Sequence, residues 1–132
     1  MSKLLVIEDS KVFLRALMLC LQDAGYSVVC ASTGEEGIAA ARRECPDLIL
    51  LDMVLPRLDG MMVLRILNSD PITREIPVLV LSGNPKTQDI AEAKKLGVVD
   101  YYVKDSMPAE HLVQKIKAIL LNRPSTPLGR PA

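Results

Sequence analysis

Four short apolar runs in this sequence each end on a residue capable of polar chemistry. Glu8 and Asp9 follow Leu4 to Ile7, Asp52 follows Leu48 to Leu51, Ser82 follows Val78 to Leu81, and Lys104 follows Val99 to Val103. Brought together, these are three carboxylates, a hydroxyl and an amine. Carboxylates in close contact repel one another, and a cation relieves that repulsion. An all-oxygen cluster suits a hard divalent ion; Mg²⁺ takes few protein ligands and keeps several waters. A lysine beside it adds a point positive charge for an incoming phosphate. A metal, a carboxylate nucleophile and an ammonium are what phosphoryl transfer requires, because charge on the equatorial oxygens must be neutralised during in-line attack. The product would be an acyl phosphate. Taken singly, each residue has a plainer reading as a strand terminus, a solvated turn, a loop cap or a surface charge. Their matching positions after successive strands argue against that.

The elements that would position them alternate along the chain. Strands are expected at Leu4 to Ile7, Ser27 to Ala31, Leu48 to Leu51, Val78 to Leu81 and Val99 to Val103. Two of these, Leu48 to Leu51 and Val78 to Leu81, are apolar throughout, as in a parallel sheet covered on both faces. Phe13, Leu14, Leu17, Met18 and Leu21 form one helical face, stopped by Gly25. Thr33 and Glu36 have capping-box spacing and open a second helix through Ile38 to about Arg43. Asp59 can cap a third, from Gly60 to about Asn68, and Pro71 and Pro77 bracket the loop that follows. A fourth helix, Lys86 to Leu96, has few apolar anchors and is closed by Gly97. The fifth carries Leu112, Val113, Ile116, Ile119 and Leu120 on one stripe, with Ser106 as its cap and Pro108 in its first turn. Five such units predict a doubly wound α/β fold with a five-stranded parallel sheet and five helices. Right-handed crossovers put helices on both faces. The expected strand order is flavodoxin-like, 2-1-3-4-5, with the site at the carboxyl ends of the strands.

Composition narrows the function classes. At 132 residues the chain has the length of one domain, and 49% hydrophobic residues supply a core. Sixteen basic residues balance sixteen acidic ones, which argues against a nucleic-acid or anionic-membrane footprint. With no Trp, one Phe and three Tyr, a base-stacking platform is not expected. Cys20, Cys30 and Cys45 are odd in number and lack metal-ligand spacing, so they are read as reduced, mostly buried packing residues. No apolar run reaches membrane-spanning length, and acidic residues come too early for a signal peptide. A cytoplasmic location is expected. Residues 123–132 hold three of the nine prolines and read as a tail or linker start after a domain spanning 1–122.

Four segments carry a family resemblance. Leu-Leu-Val-Ile-Glu-Asp-Ser, Asp-Leu-Ile-Leu-Leu-Asp-Met-Val-Leu-Pro-Arg-Leu-Asp-Gly, Pro-Val-Leu-Val-Leu-Ser-Gly and Gly-Val-Val-Asp-Tyr-Tyr-Val-Lys resemble, in order, the signature segments of response-regulator receiver domains. The resemblance covers roughly residues 3 to 122. It implies that Asp52 is the phosphoacceptor. Asp9 and Asp52 would hold Mg²⁺ directly, Glu8 would assist, and the main-chain carbonyl of Val54 would be a further ligand. Ser82 and Lys104 would bind phosphoryl oxygens. Ser82 would also be the switch hydroxyl, with Tyr101 as the aromatic that swings inward with it. The implied phosphodonor is a histidine kinase or a histidine phosphotransfer protein. The implied output is a downstream protein target or a fused output domain, reached through the face of helix 4, strand 5 and helix 5.

Other residues refine this reading. Asp105 stands where many receivers have proline after the lysine, so a trans Lys104–Asp105 bond is expected. Val54 and Asn84 should flank the phosphate and influence its hydrolysis. Tyr102 should face away from Tyr101. Asp59 and Gly60 read as a cap and a tight turn, and His111 as a surface residue. An enzyme acting on outside substrates is not expected: phosphatases with a similar nucleophile strand carry Asp-x-Asp, and position 54 is Val. A flavodoxin-type flavin site is disfavoured because Glu8 and Asp9 would repel a flavin phosphate. The remaining alternative is a pseudo-receiver, an interaction module that takes no phosphate.

Overall fold

The computed structural model describes residues 2–82, 87–104 and 108–122, without the side chains of residues 82 and 87–90. Strands β1 (Lys3–Ile7), β2 (Ser27–Ala31), β3 (Leu48–Asp52), β4 (Val78–Ser82) and β5 (Val98–Val103) alternate with helices α1 (Lys11–Asp23), α2 (Gly34–Glu44), α3 (Gly60–Ser69), α4 (Thr87–Lys95) and α5 (Ala109–Asn122). All strand pairs are parallel, in the order β2-β1-β3-β4-β5. The predicted α/β architecture and strand order are those observed.

Strand alternation sorts the core into two layers. Leu5, Ile7, Ile49, Leu51, Val78 and Val80 pack under α2, α3 and Ala93 of α4. Leu4, Val6, Leu48, Leu50, Leu79 and Leu81 pack under α1 and α5, against Leu17, Leu21, Leu112 and Ile116. Each fully buried leucine contributes about 1.5–3 kcal/mol over its exposed state. β1, β3 and β4 are buried on both faces, which explains their unbroken apolar runs.

Local chemistry sets the helix ends. The Ser10 hydroxyl caps α1 by accepting from the Phe13 N–H, and Asp59 Oδ1 caps α3 by accepting from the Met62 N–H at 3.0 Å. Thr33 Oγ1 caps α2 by accepting from the Glu36 N–H at 3.1 Å. The Glu36 carboxylate returns to the Ser32 N–H at 3.3 Å, one residue earlier than a standard capping box. Gly25, after α1, has a φ of 98°, as its role as a stop requires. α5 starts at Ala109, so Pro108 lies just before the helix; the proposed cap Ser106, Asp105 and Asn84 lie outside the described residues. So do Lys86 and residues 123–132.

The cysteine expectation needs correction. Cys20 and Cys30 are only partly buried, and Cys45 is exposed. Cys45 caps α2 in the left-handed region, with a φ of 45°. His111 is exposed, as expected.

Candidate functional site

The carboxyl edge of the sheet gathers the predicted groups through strand register. Glu8 lies two residues past Val6, Asp52 two past Leu50, and Lys104 two past Tyr102. Those three predecessors all belong to the α1/α5 layer. Period-two alternation therefore delivers Glu8, Asp52 and Lys104 to the same side of the sheet edge. Pairing of Ile7 with Leu51 sets β1 beside β3, so Glu8 and Asp52 leave the sheet side by side.

Glu8 is fully buried and Asp52 is 5% exposed. Asp9 is exposed. One carboxylate oxygen from each of the three lies within 4.8 Å of the others. This donor set fits a hard divalent cation: three carboxylates, two of them buried, on one small patch.

Lys104 enters from β5. Its Nζ forms an ion pair with Glu8 Oε1 and lies 3.3 Å from Asp52 Oδ2. The other oxygens are also engaged. Glu8 Oε2 accepts from the Ser10 N–H at 3.0 Å, and Asp52 Oδ1 accepts from the Val54 N–H at 3.0 Å. The Lys104 ammonium also sits 4.5 Å from the centroid of the Phe13 ring.

The electrostatics follow from burial. Desolvation pushes the Glu8 carboxyl above its usual range, and the nearby Asp52 adds to this. Hydrogen bonds from Lys104 and the Ser10 N–H pull the other way without cancelling it. Burial by itself lowers the Lys104 ammonium, but the Glu8 and Asp52 carboxylates outweigh it and leave its pKa raised. The lysine is therefore firmly cationic at neutral pH.

Of the remaining predicted residues, Ser82 ends β4 and pairs with Val103, but its side chain is not described. Val54 is 79% exposed, and its backbone N–H meets Asp52. Tyr101 is half-buried against the α2/α3/α4 layer, and Tyr102 is buried in the opposite one. The two tyrosines face opposite sides, as strand alternation predicts. Sequence reasoning placed Phe13 on the apolar face of the first helix and missed its contact with Lys104. Its signal was available, since it is the single Phe of the chain and stands in the first turn after Glu8 and Asp9.

With this geometry in place, comparison with known proteins is direct. A family model described as the response regulator receiver domain matches residues 4–117. The chain belongs to the response regulator receiver family. It is 34% identical over 120 residues to the protein PilH of Pseudomonas aeruginosa, covering 91% of this chain and 98% of PilH. It is 37% identical over 118 residues to the alkaline phosphatase synthesis transcriptional regulatory protein PhoP of Bacillus subtilis, covering 89% of this chain but 48% of PhoP. Among solved structures it resembles the Mn²⁺-bound form of response regulator Rcp1, with a TM-score of 0.79 and 28% identity over 96% of this chain and 99% of that one. This receiver domain thus spans nearly all of one relative and about half of another. Among the described residues, no helix is long and apolar enough to cross a membrane.

Proposed function

We propose that this receiver domain is a phosphoaccepting switch in which Asp52 takes a phosphoryl group from a histidine kinase or a histidine phosphotransfer protein. The observation that carries this reading is the approach of Lys104 Nζ to Asp52 Oδ2 at 3.3 Å inside a cluster of three carboxylates. A nucleophile, a cation site and a fixed ammonium stand together where a phosphate can be received.

Mg²⁺ is the expected ion, held by Asp9 and Asp52 with Glu8 in support and the Val54 carbonyl as a further ligand. When bound, it supplies charge neutralisation to the phosphoryl oxygens. The chain's own residues do the rest. The Val54 N–H restrains the Asp52 carboxylate through one oxygen, which leaves the other turned towards Lys104. An Asp52 oxygen forms the new bond to phosphorus as the bond to the donor nitrogen breaks. Lys104 meets the oxygens of the arriving group, and Ser82, at the end of the neighbouring strand, joins it there. Phosphorylation adds about two negative charges and biases a two-state face formed by α4, β5 and α5, with Ser82 and Tyr101 as the moving pair. The chain catalyses only reactions of its own aspartate and acts in the cytoplasm. Its output is a downstream protein or a fused domain, not direct contact with nucleic acid or membrane.

The test is mass spectrometry of the intact protein after incubation with Mg²⁺ and a small acyl phosphate. The wild type should gain one phosphoryl group; Asp52→Asn, or omission of the metal, should abolish the gain. If neither an acyl phosphate nor beryllium fluoride modifies the site, the switch reading gives way to a phosphate-independent interaction module.

A further inference from the structure

Besides its two carboxylate partners, the Lys104 ammonium meets the Phe13 ring, 4.5 Å from its centroid. The ring stands on the first turn of α1, and its placement is set by the same junction that supplies the acidic cluster. The Ser10 N–H donates to Glu8 Oε2, and the Ser10 hydroxyl accepts from the Phe13 N–H at 3.4 Å. Lys104 Nζ then closes the circuit by pairing with Glu8 Oε1. Backbone, cap, ring and ammonium form one loop around Glu8.

We propose that Phe13 is a positioning residue for Lys104: its ring holds the ammonium between the Glu8 and Asp52 carboxylates, so that an arriving phosphoryl group meets it already in place. This rests on the phosphoacceptor reading of Asp52. The physical case is that a lysine head on a flexible four-carbon stem loses freedom when it is held at one point. A carboxylate can hold it, but Glu8 and Asp52 belong to the cluster that would also hold a cation. A ring face attracts the ammonium through its quadrupole and ligates no metal. It also leaves the N–H donors free for oxygen acceptors. The Lys104 side chain is 18% exposed, so the attraction is only partly screened by water.

The variants are Phe13→Leu, which keeps an apolar side chain in the α1/α5 layer, and Phe13→Tyr, which keeps the ring. Two readouts are needed. The first is the NMR resonance of the Lys104 ε-methylene, which a ring face displaces upfield. It should be displaced in the wild type and in Phe13→Tyr, both without and with Mg²⁺, and should revert in Phe13→Leu. The second is the rate of phosphoryl incorporation from a small acyl phosphate at saturating Mg²⁺. It should fall about fivefold in Phe13→Leu, the ratio equivalent to roughly 1 kcal/mol, and recover in Phe13→Tyr. An undisplaced wild-type resonance, or a slow Phe13→Tyr variant, would overturn the proposal and leave Phe13 as packing. A wild type that takes neither a phosphoryl group nor beryllium fluoride overturns the phosphoacceptor reading and any catalytic use of the contact; the resonance then still reports whether the ring holds the ammonium.

Discussion

Glu8 bears an electrostatic cost in the ion-free site. It is fully buried, and desolvation raises its pKa above the ordinary glutamate value. A carboxyl whose folded pKa is raised binds its proton more tightly in the native state. Its ionised form therefore lowers stability above the folded pKa, and that penalty disappears as pH falls through it. A cation reverses the balance by favouring the ionised form. Mg²⁺ and the proton would thus compete at Glu8, and Mg²⁺ affinity should fall as pH drops through the raised Glu8 pKa. Calorimetric titrations in buffers of different ionisation heats should show protons released on binding. Glu8→Gln should bind Mg²⁺ more weakly at neutral pH and lose much of the pH dependence. A pH-independent affinity in the wild type would show that Glu8 stays ionised without the metal. Lys104 does not take part in this titration, because its raised pKa keeps it charged throughout.

At the scale of elements, the strand ends were legible because type and position coincided. A buried apolar run followed by an acid or a lysine can be read without coordinates, and parallel register converts it into a shared edge. The loop after β3 was not legible in the same way. Gly60 reads from sequence as a tight turn, yet its constraint is a close approach: a Cβ there would collide with the Met53 Cα and lie 2.8 Å from the Asp52 carbonyl oxygen. The contact is made across the loop, between residues that no local pattern links. Gly60→Ala must therefore displace the backbone that follows Asp52. It should destabilise the domain by about 1–3 kcal/mol in urea unfolding, an overpacking effect, and weaken Mg²⁺ binding as well. Unchanged metal affinity in the folded variant would show that the strain is absorbed away from Asp52. Arg57 was equally invisible. It has a φ of 64°, and the Leu58 N–H donates to the Pro56 carbonyl at 2.8 Å, a γ-turn of the rarer hand. A β-branched residue tolerates this conformation poorly. Arg57→Val should be about 1–3 kcal/mol less stable than Arg57→Gly, as read from denaturant midpoints. Equal midpoints would mean that the loop relaxes into an ordinary turn.

At the scale of the molecule, an ion held by the acidic cluster would couple metal binding to folding. Its three carboxylates come from two strand ends, β1 and β3, which are 44 residues apart between Glu8 and Asp52 and adjacent only in the folded sheet. The unfolded chain has no comparable site, so an ion taken up there would bind the native state selectively. Such a ligand stabilises by RT ln(1 + [L]/Kd), about 2.7 kcal/mol at a hundredfold excess over Kd. The thermal midpoint should therefore climb with Mg²⁺ concentration, without a plateau once the site is filled, because each tenfold rise adds about 1.4 kcal/mol. Asp9→Asn should flatten that climb while leaving the ion-free midpoint little changed, since Asp9 is exposed and contributes no core packing. Asp52→Asn should flatten it too, but should shift the ion-free midpoint as well, because Asp52 is buried against Lys104. Differential scanning calorimetry across a Mg²⁺ series, with K⁺ holding ionic strength constant, separates site binding from general screening. If the wild type and Asp9→Asn rise in parallel, the stabilisation comes from the ionic atmosphere, and the cluster is not the cation site.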